Sequence, residues 1–127
     1  MLSVKTKVFE NNPTNGKLVQ KMAYYSRQGI NAMDDALKVE GISNCQKTQA
    51  FFIKAELYRK FFTPSSEEQM RNSEKAIEAF EMVVKLHAKG QEKLVDKSKD
   101  AKDMLERQIK THKKSMEPLE HQINVQQ

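Results

Sequence analysis

The sequence predicts an all-α protein, and three observations carry this prediction. Apolar residues recur at spacings of three and four through most of the 127-residue chain, which is the period of one helix face. Four glycines and three prolines are too few for the many tight turns of an all-β domain. The length also fits a single domain. We therefore expect four helices, at residues 17–40, 43–62, 66–89 and 91–115, packed as an antiparallel hairpin array or bundle.

The first helix is expected to follow a flexible or loosely docked arm, residues 1–16, because Pro13 and Gly16 stand among asparagines there. The helical domain is then predicted to span residues 17–116. One face of its first helix carries Val19, Ala23, Ser26, Ile30, Met33 and Leu37. A neighbouring stripe carries Leu18, Met22, Tyr25, Gly29 and Ala36. Gly41 stands where a left-handed cap would end the helix.

The second helix has a clear N-terminal signal. Ser43 and Gln46 fit a capping box, in which each side chain bonds the backbone amide of the other residue. The helix then carries a wide apolar arc of Ala50, Phe51, Ile53, Ala55, Leu57, Tyr58, Phe61 and Phe62. Because the arc spans about half of the circumference, we expect this helix to be the most buried one. Pro64 ends it.

The third helix is predicted to begin with a second capping box, formed by Ser65 and Glu68. Its inward stripe holds Met70, Ser73, Ala76, Ile77, Phe80, Val83, Val84 and His87. Gly90 either separates the third and fourth helices or only kinks one long helix. The fourth helix has a thinner stripe of Leu94, Ser98, Ala101, Leu105, Gln108, Ile109 and His112. Pro118 is expected to stop it and leave residues 117–127 as a polar tail.

The charge is mildly basic, with 22 lysines and arginines against 17 acids and a net charge of +5. This balance suits an acidic protein, nucleic acid or an anionic surface without selecting one of them. No apolar run approaches the length of a membrane span, and the first residues lack the apolar core of a signal peptide. One cysteine excludes an internal disulfide framework. We expect a cytoplasmic or nuclear location.

Catalytic and metal-binding patterns are missing from the sequence. It contains no phosphate loop, nucleophile elbow or HExxH motif. His87, His112 and His121 lack metal-ligand spacing, and His87 and His112 fall on stripes that face inward. Cys45 lies in the first turn of the second helix with no histidine or second cysteine near it in sequence, which favours an inert thiol. The sequence thus predicts no enzymatic activity, no cofactor and no metal site.

Part of the chain resembles the tetratricopeptide repeat family. Ala76, Phe80 and Val83 match the small, aromatic and small packing positions of the second helix of such a repeat. The preceding helix offers Phe51 and Ala55, followed by Tyr58, at the spacing of the first-helix signature. The resemblance implies interlocked antiparallel helices, and stacked hairpins of that family form a groove that holds peptides. The helical hairpin of the microtubule-interacting-and-trafficking (MIT) domains is similar and remains an alternative.

The predicted interaction surface consists of aromatic and basic residues left over after the core is made. They are Tyr24, Phe52, Lys54 and Arg59, together with Lys110, Lys113 and Lys114 of the fourth helix. Phe52 lies opposite the centre of its helix's apolar arc, so it is either buried against another element or an exposed anchor. Lys54 lies inside that arc. Its ammonium either reaches water past the core or meets an acidic group of a partner.

These features predict a protein–protein interaction module, an adaptor or complex subunit without chemistry of its own. The partner is another protein or peptide with an acidic character, and self-association is a further option because the second helix has such a wide apolar arc. The alternative is a basic helical domain that binds nucleic acid or an acidic surface. Acidic residues dilute the basic stripe of the fourth helix, so nucleic acid is the less favoured partner.

Overall fold

A computed structural model of the chain describes the backbone of residues 13–61, 63 and 65–126, and the side chains of residues 17–61, 63 and 65–115. The described residues contain four helices and no strand. They are α1 (Pro13–Leu37), α2 (Asn44–Lys60), α3 (Ser66–Leu86) and α4 (Glu92–Gln126). This confirms the all-α prediction. Residues 1–12 of the predicted arm, and Phe62, lie outside the described residues.

Helix α1 begins at Pro13, earlier than the predicted residue 17. Proline is tolerated in the first turn because the backbone N–H that it lacks would have no intrahelical acceptor there. The helix ends at Leu37, before the predicted residue 40. Its last turn tightens, with the amides of Lys38 and Val39 donating to carbonyls only three residues back, and Gly41 then takes a φ of +77°.

The capping box of α2 is confirmed. The Gln46 amide donates to Ser43 Oγ over 3.1 Å, and the Ser43 amide donates to Gln46 Oε1 over 3.0 Å. The N-cap of α3 is Ser65, whose hydroxyl accepts from the Glu68 amide. The second box is only half formed, because the Glu68 carboxylate accepts from the Thr63 hydroxyl instead.

Gly90 separates α3 from α4. The C-cap of α3 is His87, an exposed residue with a left-handed φ of 43°. Gly90 follows with a φ of +87°. Two left-handed residues within four positions reverse the chain direction. The prediction that His87 faces inward was wrong, because His87 is the cap and no longer part of the helix face.

Helix α4 runs through Pro118 to Gln126, so the prediction that Pro118 ends this helix was wrong. The φ of proline is itself helical. A proline inside a helix costs one backbone hydrogen bond and crowds the preceding turn, which weakens a helix without always ending it.

The helices pack in the order of the chain. The most extensive contact joins α2 to α3, followed by α3 to α4 and α1 to α2, while α2 and α4 touch only slightly. Among the described residues α1 contacts α2 alone. The pairs Asp34–Lys54 and Arg27–Phe61 show that α1 and α2 are antiparallel. Helix α3 is antiparallel to α2, and α4 is antiparallel to α3. Helices α2 and α4 therefore run in the same direction on one side of α3.

The core lies between α2, α3 and α4, and Phe80 is its largest fully buried side chain. Around Phe80 the core residues are mostly small. They are Ala55, Ala76, Ala79, Ala101 and Leu105, with Phe52, Tyr58 and Ile77 packed at the edge. The alanines allow the helix backbones to approach closely, so the single large ring of Phe80 fills much of the space between them.

Candidate interaction surface

A groove runs between α2 and α4, which are parallel and barely touch. Its first part is a depression of about 520 Å³. The lining residues are Phe52, Glu56, Arg59 and Lys60 of α2 and Lys97, Asp100, Ala101 and Met104 of α4. Within the described part of the chain α3 covers only the far side of these two helices, which leaves the groove open.

The groove continues past the end of α2. A depression of about 720 Å³ lies where Lys60 and the first turns of α3 meet α4, and a third, of about 760 Å³, follows α4 from Asp100 to Ser115. Met104 lines all three depressions. They therefore form one surface, which we call the α2–α4 groove, extending along α4 from Lys97 to Ser115.

The floor of the α2–α4 groove is aliphatic. Met70 of α3 and Met104, Leu105 and Ile109 of α4 line its middle part. Met104 is 53% exposed although it lies in the centre of the groove. Methionine is unbranched and polarizable, so a floor of this kind adapts to apolar side chains of different shapes.

The rim of the groove carries a charge cluster. The Glu56 carboxylate accepts from Arg59 Nη2 over 2.8 Å and also lies 3.3 Å from Lys60 Nζ. Arg59 Nε is buried, and among the described residues it has no hydrogen-bond partner. One acid thus faces two cations, and a guanidinium donor is left unsatisfied beside the groove.

A second apolar feature, which we call the α1 stripe, consists of Leu18, Met22 and Tyr25, all exposed. It continues at helical spacing to Gly29, where a Cβ atom would lie 2.8 Å from Leu57 Cδ1 of α2. The absence of a side chain at Gly29 thus allows α1 to approach α2 closely. Leu57 is one turn from Ile53, itself exposed, so the stripe lies beside the face of α2 that carries Ile53.

Basic residues are concentrated at one end of the molecule. Residues 17–33 of α1 carry three basic and no acidic side chains, and residues 107–115 of α4 carry four and none. Both segments lie at the end where α2 finishes and α3 begins, because the helices alternate in direction. Arg59 and Lys60 add to this basic end.

Helix dipoles do not account for this distribution. Cations stabilise the last turn of a helix, and this was one explanation for Lys110, Lys113 and Lys114. However, α4 continues to Gln126, which places these lysines about three to four turns before its end. In α1 the basic residues Lys17, Lys21 and Arg27 all lie outside the last turn, where the dipole would favour cations.

The structure brings two of the predicted surface residues together and separates the others. Phe52 and Arg59 both line the α2–α4 groove. Phe52 is half-buried, with its ring edge-on to Phe80 at a centroid distance of 5.9 Å, so the element that covers it is α3. Tyr24 is exposed on α1 and packs edge-on against Tyr25, away from Phe52. Lys110, Lys113 and Lys114 are exposed on α4.

Lys54 fits neither of its two sequence-based interpretations fully. Its ammonium lies 2.7 Å from Asp34 Oδ1, so it bonds to α1 of the same chain. The salt bridge lies opposite the groove side of α2. Its role is to fasten α1 to α2.

Met104 was not singled out by sequence reasoning. The stripe assigned to α4 contained its neighbour Leu105, and Met104 lies at the edge of that stripe. The sequence feature that could have identified Met104 is its spacing of four residues to Gln108 and of eight to His112, which places the three on one helix face. The prediction that His112 faces inward was wrong: it is exposed and lines the groove, because α2 ends before it could cover this part of α4.

Within the described residues no group of three or more histidine, cysteine or acidic side chains is placed to hold a metal ion. None of the helices in that part of the chain is long and apolar enough to span a membrane. Cys45 is half-buried, and its thiol lies 3.5 Å from the carbonyl oxygen of Lys89. The side chains that line the groove include aliphatic, cationic, acidic and hydroxyl groups.

No family model, curated protein or solved structure matches the chain.

Proposed function

We propose that this chain is a protein-interaction module, an adaptor or complex subunit that performs no chemistry of its own and binds its partner on one side of α2. The observation that carries the proposal is the clustering of exposed apolar side chains there. Leu18, Met22, Tyr25, Ile53 and Met104 are all exposed along the α1 stripe, α2 and the groove. Apolar side chains grouped in this way on a surface mark interaction sites more often than scattered ones do.

The alternative, a basic domain that binds nucleic acid, is supported by the basic end alone. Phosphate contacts need cations, whereas the centre of the groove is aliphatic and Asp100 and Asp103 lie along it. A protein surface satisfies both the apolar floor and the basic rim. This is why we favour a protein partner.

The test compares proteins captured from native lysate by the wild-type chain and by a Met22→Gln, Met104→Gln variant. Glutamine keeps helix propensity and side-chain length while removing apolar contact. The control is Val39→Gln, because Val39 is similarly exposed but lies just past the C-terminal end of α1, away from the proposed surface. Circular dichroism and the melting temperature establish that all three proteins are folded.

We expect at least one protein to be captured by the wild type and by Val39→Gln but lost from the double variant. If the double variant retains every captured protein, the proposed surface is wrong. If the wild type captures only nucleic acid, and its affinity falls steeply with salt, the alternative function replaces this one.

A further inference from the structure

We infer that the α2–α4 groove takes an acidic amphipathic helix of a partner protein, about 18 residues long. This inference rests on the proposed function and adds the chemistry of the partner. Its first basis is shape. The groove follows α4 from Lys97 to Ser115, which corresponds to about 27 Å of helix axis.

The secondary structure of the occupant follows from what the groove offers. The described residues include no strand, so an extended segment finds no sheet edge to extend. Polyproline segments dock between aromatic rings, yet among the described residues Phe52 is the only phenylalanine, tyrosine or tryptophan that lines the groove. An elongated groove with an aliphatic floor on α3 and α4 instead matches a helix, anchored by apolar side chains at positions i, i+3 or i+4, and i+7.

The basic residues along one part of the groove favour an occupant with acidic side chains. Past Met104 the lining and its border carry Arg59, Lys60 and Arg107, and the following turns of α4 carry basic but no acidic residues up to Ser115. Glu56 is already bound to both Arg59 and Lys60. The Arg59 side chain is 32% exposed at the rim of the groove, so a carboxylate on the partner helix can reach the outer part of its guanidinium.

The probe for this inference is a displayed library of 18-residue peptides, selected for binding to the full chain. We expect the selected peptides to be enriched in aspartate and glutamate over the unselected library, and to place apolar residues at helical spacing. Their helicity should rise on binding, as measured by circular dichroism of the complex minus that of the free protein.

Charge-reversal variants test where the peptides bind. Lys60→Glu with Arg107→Glu should weaken binding of the selected peptides on the order of tenfold at low salt, and less at high salt. The control pair, Lys38→Glu with Lys75→Glu, changes the net charge equally at exposed positions outside the groove. It should leave the dissociation constant nearly unchanged.

Three results would overturn the inference. They are selected peptides without acidic enrichment, an equal loss of affinity in the control pair, and a duplex DNA that displaces the peptides at physiological salt. The first two leave the proposed function standing if the methionine variant still loses its captured protein. Failure of the methionine experiment, by contrast, refutes the interaction surface itself.

Discussion

Replacing Phe80 by alanine should remove about 4 kcal/mol from the free energy of unfolding. Phe80 is fully buried, and a ring of this kind hides ~200 Å² of largely apolar surface. At ~25 cal/mol per Å² this corresponds to about 5 kcal/mol. Residual structure in the unfolded chain lowers that figure by roughly 10–40%, whereas the lost edge contact with Phe52 adds about 0.5–1.5 kcal/mol.

The neighbours of Phe80 explain why the structure does not recover the lost stability by collapsing into the cavity that Phe80→Ala leaves. They are mostly alanines, whose backbones are already close and whose side chains cannot move into the cavity. Urea unfolding followed by circular dichroism measures the effect, and with a slope of about 1.5 kcal/mol/M the midpoint should fall by roughly 2–3 M.

A softer substitution keeps the measurement possible if Phe80→Ala does not fold. Phe80→Leu retains most of the volume and should cost about 1–1.5 kcal/mol. A cost below about 1 kcal/mol for Phe80→Ala, with an unchanged urea slope, would show that Phe80 does not fill the centre of the core.

Two further predictions concern charged groups. A double-mutant cycle of Lys54→Met and Asp34→Asn should give a coupling free energy of about 0.5–1 kcal/mol at low salt. The coupling should be smaller at high salt, since both side chains are partly exposed. A coupling near zero would contradict the attachment of α1 to α2 through this salt bridge. Hydrogen bonds from the backbone amides of Glu92 and Gly90 lower the pKa of the Glu92 carboxyl. Its ionised form therefore favours the folded state above the unfolded pKa, and that contribution is lost as pH falls through the folded pKa. Glu92→Gln should therefore flatten the dependence of stability on pH in this range. An NMR titration that gives Glu92 a pKa at or above the ordinary value for glutamate would refute the prediction.

Local signals in the sequence predicted local structure well. Ser43 and Gln46 form their box because both partners lie within one turn, so no distant residue decides the outcome. Phe80 and Ala76 lie on a stripe whose spacing alone places them inside. Helix ends with proline were predicted less well, because Pro13 and Pro118 are compatible with helical φ and only the energy of the whole helix decides whether it continues.

The proposed interaction surface was only partly predictable, because the exposure of its residues depends on where neighbouring helices end. Met104 is exposed and His112 lines a groove since α2 stops at Lys60 while α4 continues. Lys54 meets Asp34 through the register of α1 on α2, at an interface where Gly29 lies close to Leu57. No periodicity within one helix contains that information.

The serial packing of the helices makes this a protein of short-range contacts. Each helix finds its main partner next to it in the chain, so folding closes only short loops and should be fast for a domain of this size. Since α1 contacts α2 alone among the described helices, it can detach while the core around Phe80 stays intact. Amide protons of α1 would then exchange with solvent through this partial opening, sooner than those of α3. A partner that covers the α1 stripe would slow that exchange, which links occupancy of the surface to the local stability of the first helix.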